Sequence, residues 1–166
     1  MLSTTAEYAL RIMVALTEAA SEPLTCDEIS RRTRVPAGYA LKVLQWLREK
    51  KLVASQRGRK GGVRIVCDPE ETTLLDVVNA IEPVERIRTC PLGRREHRGR
   101  LCPLHSRLDE LIVSLLESLE DLSLDAVAHG GKGPPLCRAE GGEAAARGRG
   151  GRATQQRPRR RRRRRK

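Results

Sequence analysis

Two cysteines and two histidines lie within 16 residues of each other, in a segment that is otherwise rich in charged and small residues. They are Cys90, His97, Cys102 and His105. Two thiolates and two imidazoles suit a tetrahedral zinc site, and the same donors suit a 2Fe–2S cluster. The spacing matches no standard zinc module, so composition alone favours a polar loop with two free thiols and two exposed imidazoles.

The segment after the last histidine has the pattern of a long amphipathic helix. Its leucines recur at steps of three or four residues, which places them along one helix face; they are Leu104, Leu108, Leu111, Leu115, Leu119 and Leu122. Such a stripe packs either against its own chain or against a second copy, and its length favours a helix pair between two subunits. A short helix over residues 123–128 is expected to fold back.

A helix–turn–helix pattern precedes the cysteine loop. Thr25 and Glu28 are spaced as a capping box, which predicts a short helix that ends near Thr33. Pro36 then favours the start of a second, longer helix. A short helix, a tight turn and a longer helix are typical of this DNA-binding motif.

The second helix has an apolar inner face and a polar outer face that suits DNA. On the outer face, Gly38 allows close approach of the backbone, and Tyr39 and Lys42 reach phosphates or base edges. Gln45 is suited to pairing with adenine. Taken alone, the pattern is equally compatible with an ordinary helical hairpin whose polar face is solvated.

A basic, glycine-rich turn follows this helix between two short β-type runs. The runs cover residues 52–55 and 63–66 and predict a hairpin. Its tip carries Arg57, Arg59 and Lys60, and its returning strand carries Arg64. Arginine suits a narrow minor groove. A recognition helix followed directly by such a hairpin is typical of a winged helix, which is far more specific than either part.

Positive charge is concentrated in two places. Fourteen of the 33 Lys and Arg residues follow residue 131, where they face two glutamates, and the remaining chain carries 19 basic and 19 acidic side chains. Within that neutral body, residues 27–64 hold 11 basic and three acidic side chains, the footprint of a polyanion site. Only three aromatic residues are present, which argues against single-strand binding by base stacking and favours duplex DNA.

The Gly- and Arg-rich tail has no apolar periodicity and is expected to be disordered. It either adds non-specific DNA affinity through counterion release or has no role. No stretch approaches the roughly 20 apolar residues that span a bilayer, and the N-terminus lacks a signal-peptide pattern. We therefore expect a cytoplasmic protein without membrane contact, whose five cysteines are thiols or metal ligands rather than disulfides.

Three stretches resemble the Rrf family of bacterial transcriptional regulators, the family of IscR and NsrR. They read EYALRIMVAL, EISRRTRVPAGYALKVLQWLREKKLVASQRGRKGGVRI and DPEETTLLDVVNAIEP. The resemblance covers residues 1 to about 128, and the glycine-rich wing followed by PEE-T-L-DVV-A is its most specific part. It implies a homodimeric winged-helix regulator, often one that holds an iron–sulfur cluster.

The resemblance also implies metal ligands, with one departure from the family pattern. Cluster-bearing members look like C-x5-C-x5-C, in some cases with a histidine three residues after the last cysteine. Cys90, Cys102 and His105 match the outer positions. Glu96 stands where the middle cysteine is expected, with His97 beside it. This excludes a three-cysteine cluster and makes Glu96 and His97 candidates for the fourth ligand.

Glu7 is a further candidate for that ligand, because some members of the family use an acidic residue at the start of the first helix. Its alternative role is structural, as the partner of Thr4 in a capping box. The centre itself stays open between a 2Fe–2S cluster, zinc and no metal. Loss or oxidation of a cluster would rearrange the loop and change the spacing of two recognition helices.

These patterns predict a mainly α-helical protein with a small β-wing, in three parts. Residues 1–83 form a winged helix–turn–helix DNA-binding domain, 84–129 a Cys/His sensor loop and dimerisation helix, and 130–166 the Arg-rich tail. We expect a homodimeric regulator of a palindromic operator that senses redox, nitric oxide or iron–sulfur status, and no enzyme activity.

Three alternatives remain. One is a cluster-free or zinc-stabilised regulator of the same family. The second is a metal-dependent enzyme or electron carrier that uses the four Cys and His residues; it lacks an acid–base pair and leaves the wing unexplained. The third is an RNA-associated protein that binds through its arginine tail.

Overall fold

The computed structural model describes residues 2–20, 22–58 and 61–130. Its helices are α1 (Thr4–Glu18), α2 (Cys26–Thr33), α3 (Ala37–Glu49), α4 (Leu74–Ile81), α5 (Pro103–Glu120) and α6 (Leu124–His129). Strands β1 (Val53–Gln56) and β2 (Gly62–Ile65) lie between α3 and α4, and a 3₁₀ turn spans Arg95–His97. The predicted fold class is confirmed. The predicted tail, from residue 131 onward, lies outside the described residues, as do Arg59 and Lys60.

Reciprocal side-chain bonds set where two of the helices begin. The Thr25 hydroxyl accepts from the Glu28 N–H, and the Glu28 carboxylate accepts from the Thr25 N–H and hydroxyl. These bonds hold the pKa of Glu28 below its ordinary value. Thr73 and Asp76 form the same arrangement at α4. The predicted capping box of α2 is therefore confirmed.

The first helix begins differently from the expectation. Its cap is Ser3, whose hydroxyl accepts from the Ala6 N–H. The expected box between Thr4 and Glu7 is wrong, because Thr4 already lies inside the helix. Glu7 instead forms an ion pair with Arg11, one turn further along.

The core forms around α1, which contacts α2, α3, α4 and α6. Ile12, Met13 and Leu16 are fully buried there, together with Leu47 of α3 and Leu124 of α6. Burial of a side chain of this size contributes about 1.5–3 kcal/mol. This cluster therefore holds the helix–turn–helix and α6 in one body.

The two strands form an antiparallel hairpin, with Val53 opposite Ile65. Residue 24 extends the pairing, since the Leu24 N–H donates to the Val63 carbonyl and the Leu24 carbonyl accepts from the Val63 N–H. A Cβ at Gly62 would lie 2.7 Å from the Leu24 carbonyl oxygen. Glycine is thus required here by the hairpin itself. β1 begins one residue later than expected and β2 one residue earlier.

The last long helix is only partly covered. Leu119 is buried near its C-terminal end, whereas Leu104 and Leu111 are each 62 % exposed and Leu108 is 40 % exposed. The predicted stripe is present on α5, and its N-terminal half faces solvent in the single chain.

A β-bridge between Thr73 and Ser123 ties the C-terminal end of α5 to the body. The Leu74 N–H donates to the Leu122 carbonyl at 2.9 Å. The chain then returns to α1 through α6, where Leu124 is fully buried. The short helix folds back as expected. Within the described ranges, no helix is long and apolar enough to cross a membrane.

Candidate functional site

Three of the four predicted donors come together in the structure. The ligand atoms of Cys90, Cys102 and His105 all lie within 4.8 Å of one another, and all three residues are half-buried. His105 Nδ1 lies 3.1 Å from Cys102 Sγ and 3.6 Å from Cys90 Sγ. The loop and α5 thus bring two thiols to one imidazole.

Helix α5 positions two of these donors through its own N-terminus. Cys102 is the N-cap residue, Pro103 begins the helix, and His105 lies in its first turn. Proline is favoured at this position because its missing N–H and fixed φ suit the start of a helix. The backbone N–H groups of the first turn then point towards the cap.

This position changes the acidity of the Cys102 thiol. The backbone N–H of His105, followed by its imidazole, lowers the pKa of Cys102 from 9.0 to about 7. Hydrogen bonds to the charged form stabilise it. A large fraction of Cys102 is therefore thiolate near neutral pH, and the thiolate is the form that binds metals.

Arginines line the cavity beside the other thiol. Cys90 and His97 line a cavity of about 420 Å³ whose other lining residues include Arg88, Arg94, Arg98 and Arg100. The arginines of the loop thus give this cavity a positively charged lining that suits an anionic ligand.

The remaining metal candidates occupy different places. His97 Nδ1 lies 3.1 Å from Cys90 Sγ, yet within the described residues His97 is outside the group of three. Glu96 is on the same 3₁₀ turn and is exposed. Glu7 pairs with Arg11 on α1. Neither carboxylate belongs to the group that the described part of the chain forms.

The predicted DNA face of α3 is exposed at every position named for it. Gly38, Tyr39, Lys42 and Gln45 all lie on the solvent side. Tyr39 packs edge-on against Tyr8, with ring centroids 6.0 Å apart. The Gln45 amide donates to Glu49 at 3.1 Å. The polar side chains are thus held by neighbours but remain accessible.

Two further residues shape this face. The Lys42 ammonium lies 5.4 Å from the centre of the Trp46 ring, a cation–π contact that orients it along the helix. Leu41, 61 % exposed, was missed by the sequence reasoning. The signal was available, since Leu41 is the leucine of α3 that falls outside the inner face formed by Ala40, Val43, Leu44 and Leu47.

Both described cations of the wing are accessible. Arg57 follows β1 and Arg64 lies on β2, and both are exposed. Arg59 and Lys60, the other two predicted contacts, lie outside the described residues. Gly58 has φ +118°, a conformation that favours glycine, so the turn between the strands depends on that residue.

Comparison with known proteins gives consistent results. Residues 2–130 match the family model Rrf2, described as "Iron-dependent Transcriptional regulator". An HTH-type transcriptional regulator of Mycobacterium tuberculosis, Rv1287, is 33 % identical over 131 residues, which cover 78 % of this chain and 81 % of that protein.

Solved structures agree on the fold. CymR, the global cysteine regulator of B. subtilis, matches with a TM-score of 0.64 and 22 % identity over 79 % of this chain and 98 % of that one. IscR of T. potens matches with a TM-score of 0.61 and 21 % identity over 75 % of this chain and 82 % of that one. The relatives are regulators rather than enzymes.

Proposed function

Because the chain belongs to the Rrf2 family of transcriptional regulators, we propose that it binds a palindromic operator as a homodimer under the control of a metal centre. One observation carries this proposal. The donors Cys90, Cys102 and His105 converge at the N-terminal end of α5, the helix whose leucine stripe is uncovered in the single chain. The group that responds to a signal and the surface that pairs the subunits therefore share one helix.

Helix α3 and the wing form the proposed DNA surface. The N-terminal half of α3 enters the major groove, and Leu41 contacts a thymine methyl group there. The wing cations follow the phosphates and the adjacent minor groove. The proposed contacts are Gly38, Tyr39, Leu41, Lys42, Gln45, Arg57, Arg59, Lys60 and Arg64.

The leucine stripe of α5 supports the homodimer. Leu104, Leu108 and Leu111 form an exposed apolar row, and a second copy of the same helix covers such a row by the ordinary hydrophobic effect. Residues 1–83 then act as the DNA-binding domain and residues 84–129 as the sensor and dimerisation region. Two recognition helices must match half-sites about one DNA turn apart, so the α5 pairing sets the operator spacing.

The donor set fits a metal centre by its chemistry. Two thiols and an imidazole within 4.8 Å of one another are ligands that zinc and iron–sulfur clusters both take. His97, next to Cys90, is the favoured fourth ligand, ahead of Glu96 and Glu7. A 2Fe–2S cluster would supply reversible one-electron chemistry at this place, whereas zinc would supply structural closure.

The protein's own residues connect this centre to DNA. When Cys90 and His105 are held together, the loop beyond residue 87 is fixed on α5; when they separate, that part of the loop and the first turn of α5 move relative to one another. A ligand shifts such an equilibrium only by its different affinity for the two arrangements. Redox state, nitric oxide or cluster supply acts here by changing which arrangement is populated.

Anaerobic purification of the full chain tests the metal centre. We expect a visible absorbance spectrum with iron and sulfide in the protein; zinc without iron would support the zinc-stabilised alternative. Cys90→Ser should lose the metal, whereas Cys67→Ser should keep it, because Cys67 packs against the core away from the donors. A protein without iron or zinc after reconstitution would overturn the metal centre.

Operator selection from random duplex DNA tests the regulator itself. We expect a palindromic site with two half-sites about one turn apart, and an affinity that differs between metal-loaded and metal-free protein. Selection of single half-sites would exclude the homodimer. Equal affinity of the two forms would exclude control by the metal.

A further inference from the structure

A buried carboxylate joins the cysteine loop to α5. Asp109 is 8 % exposed. Its Oδ2 accepts from Arg86 Nη2 at 2.6 Å, and its Oδ1 accepts from Arg86 Nε at 3.3 Å and from the Ile87 N–H at 2.9 Å. A two-pronged arginine contact plus a backbone bond is a strong and directional arrangement. The Arg86 guanidinium and the Ile87 N–H hold the pKa of Asp109 below its ordinary value.

The position of these bonds relates directly to the donors. Ile87 precedes Cys90 by three residues. Asp109 follows His105 by four residues, so these two side chains lie on one face of α5. The carboxylate therefore fastens the segment that supplies Cys90 to the helix that supplies His105. Its three hydrogen bonds do not involve the donor atoms themselves.

We propose that Asp109 is a positioning residue for the metal centre, which holds Cys90 against His105 through Arg86 and the Ile87 N–H before any metal binds. This inference rests on the proposed metal site. Preorganisation of ligands lowers the cost of binding, because less freedom is lost when the metal arrives. Groups that orient ligands from outside typically account for about 10–100-fold in metal affinity.

Titration of the full-length, reduced protein with Co²⁺ tests the proposal. Thiolate-to-cobalt absorbance reports binding at the cysteines. Asp109→Asn keeps the side-chain size but removes the charge, and we expect it to weaken Co²⁺ binding about 10–100-fold. Arg86→Ala should weaken it similarly, and the double variant should lose less than the two single losses multiplied together.

A matched control lies next to Asp109 on the same helix. Glu110 pairs with Arg107 at 2.6 Å, also on α5, and within the described part of the chain this pair makes no bond to the loop. Glu110→Gln should bind Co²⁺ as the parent protein does. An equal loss in Glu110→Gln, or normal affinity in Asp109→Asn, would overturn the proposal.

A second readout needs no metal. Phenylarsine oxide condenses with two neighbouring thiols and releases one water, so it reports how closely Cys90 and Cys102 are held in the metal-free protein. We expect phenylarsine oxide to bridge the two thiols more slowly in the Asp109→Asn variant than in the Glu110→Gln variant. If the parent chain binds no Co²⁺ but this difference appears, the metal centre fails while the positioning role stands; with no difference, the positioning role fails as well.

Discussion

Two parts of the chain differ in how far their apolar side chains are buried within the single chain. In the body, which comprises α1–α4, the wing and α6, Ile12, Met13 and Leu16 are at most 1 % exposed. In the arm, which comprises residues 84–102 and α5, the largest apolar side chains include Leu104 and Leu111, each 62 % exposed. The body buries its core within one chain, whereas the arm exposes an apolar stripe to solvent and brings together three half-buried thiol and imidazole side chains. The stability of the body therefore depends on its own packing, whereas under the proposed function the state of the arm depends on what it binds.

The largest expected effect is a truncation in the body. Leu16→Ala should lower the free energy of unfolding by about 2–5 kcal/mol, because it removes buried contacts and leaves a cavity. Denaturant unfolding followed by circular dichroism measures this loss. It should be the same at all protein concentrations, and a loss that shrinks as the protein is concentrated would break the distinction between body and arm.

A charge in the arm should act on association instead. Leu111→Glu places a carboxylate within the exposed stripe and should weaken self-association by roughly tenfold or more, the cost of a central interface residue. Sedimentation of the metal-free protein over a range of concentrations measures this. Ser106→Glu adds the same charge on the other side of α5 and serves as the control; equal weakening in both variants would contradict the stripe as the dimer surface.

The two regions also shift the pKa values of their cysteines in opposite directions. Burial, and then the nearby Asp27 charge, raises the pKa of Cys26 in the body, whereas that of Cys102 in the arm is lowered from 9.0 to about 7. In metal-free protein at pH 7, iodoacetamide should modify Cys102 roughly tenfold or more faster than Cys26, because the thiolate is the nucleophile.

The pH dependence of that modification carries a definite sign. The rate at Cys102 should rise to half its maximum near pH 7, as followed by mass spectrometry of the labelled peptide. Because its pKa in the folded protein is below the ordinary value, the thiolate stabilises the fold fully above pH 9, and this contribution disappears as the pH falls through about 7. A midpoint near pH 9 would contradict the lowered pKa of Cys102 and with it the difference from Cys26.

The smallest expected effect separates folding from DNA binding within the body. A Cβ at Gly38 meets nothing within 4 Å, so Gly38→Ala should stabilise α3 by about 0.5–1 kcal/mol. It should nevertheless weaken operator binding, measured by fluorescence anisotropy, if DNA lies against this face. Gly62→Ala offers the opposite case, because its Cβ would clash with the Leu24 carbonyl and destabilise the wing. Gain of both stability and affinity in Gly38→Ala would remove Gly38 from the DNA surface.

The elements that could be predicted from the sequence are those whose physical cause is local. The pairing of Thr25 with Glu28 spans three residues, so the start of α2 was predictable from spacing alone. The spacing of glycines and short apolar runs likewise predicted the wing. The start of α1 was misassigned because Ser3 and Thr4 are both suitable caps, and the choice between neighbours depends on packing of the helix as a whole.

In the arm, contacts between residues close in sequence could be predicted, but contacts between distant residues could not. Cys102 and His105 lie three residues apart on one helix, so their approach follows from local geometry. The bond between Arg86 and Asp109 spans 23 residues, and no periodicity in the sequence indicates it. The exposed state of Leu111 was also undetermined, since a leucine stripe looks the same whether its own chain or a second copy covers it.

The bridge between Thr73 and Ser123 and the packing of Leu115 and Leu119 tie the C-terminal half of α5 to the body. The helix has 18 residues and is therefore about 27 Å long. A tilt of about 4° at the bridge displaces the Cys102 end by roughly 2 Å over that length. Since Asp109 fastens residues 86–87 to the same helix, that part of the loop would move with the helix. Under the proposed function, a change in how the donors are held would shift the leucine stripe by this route.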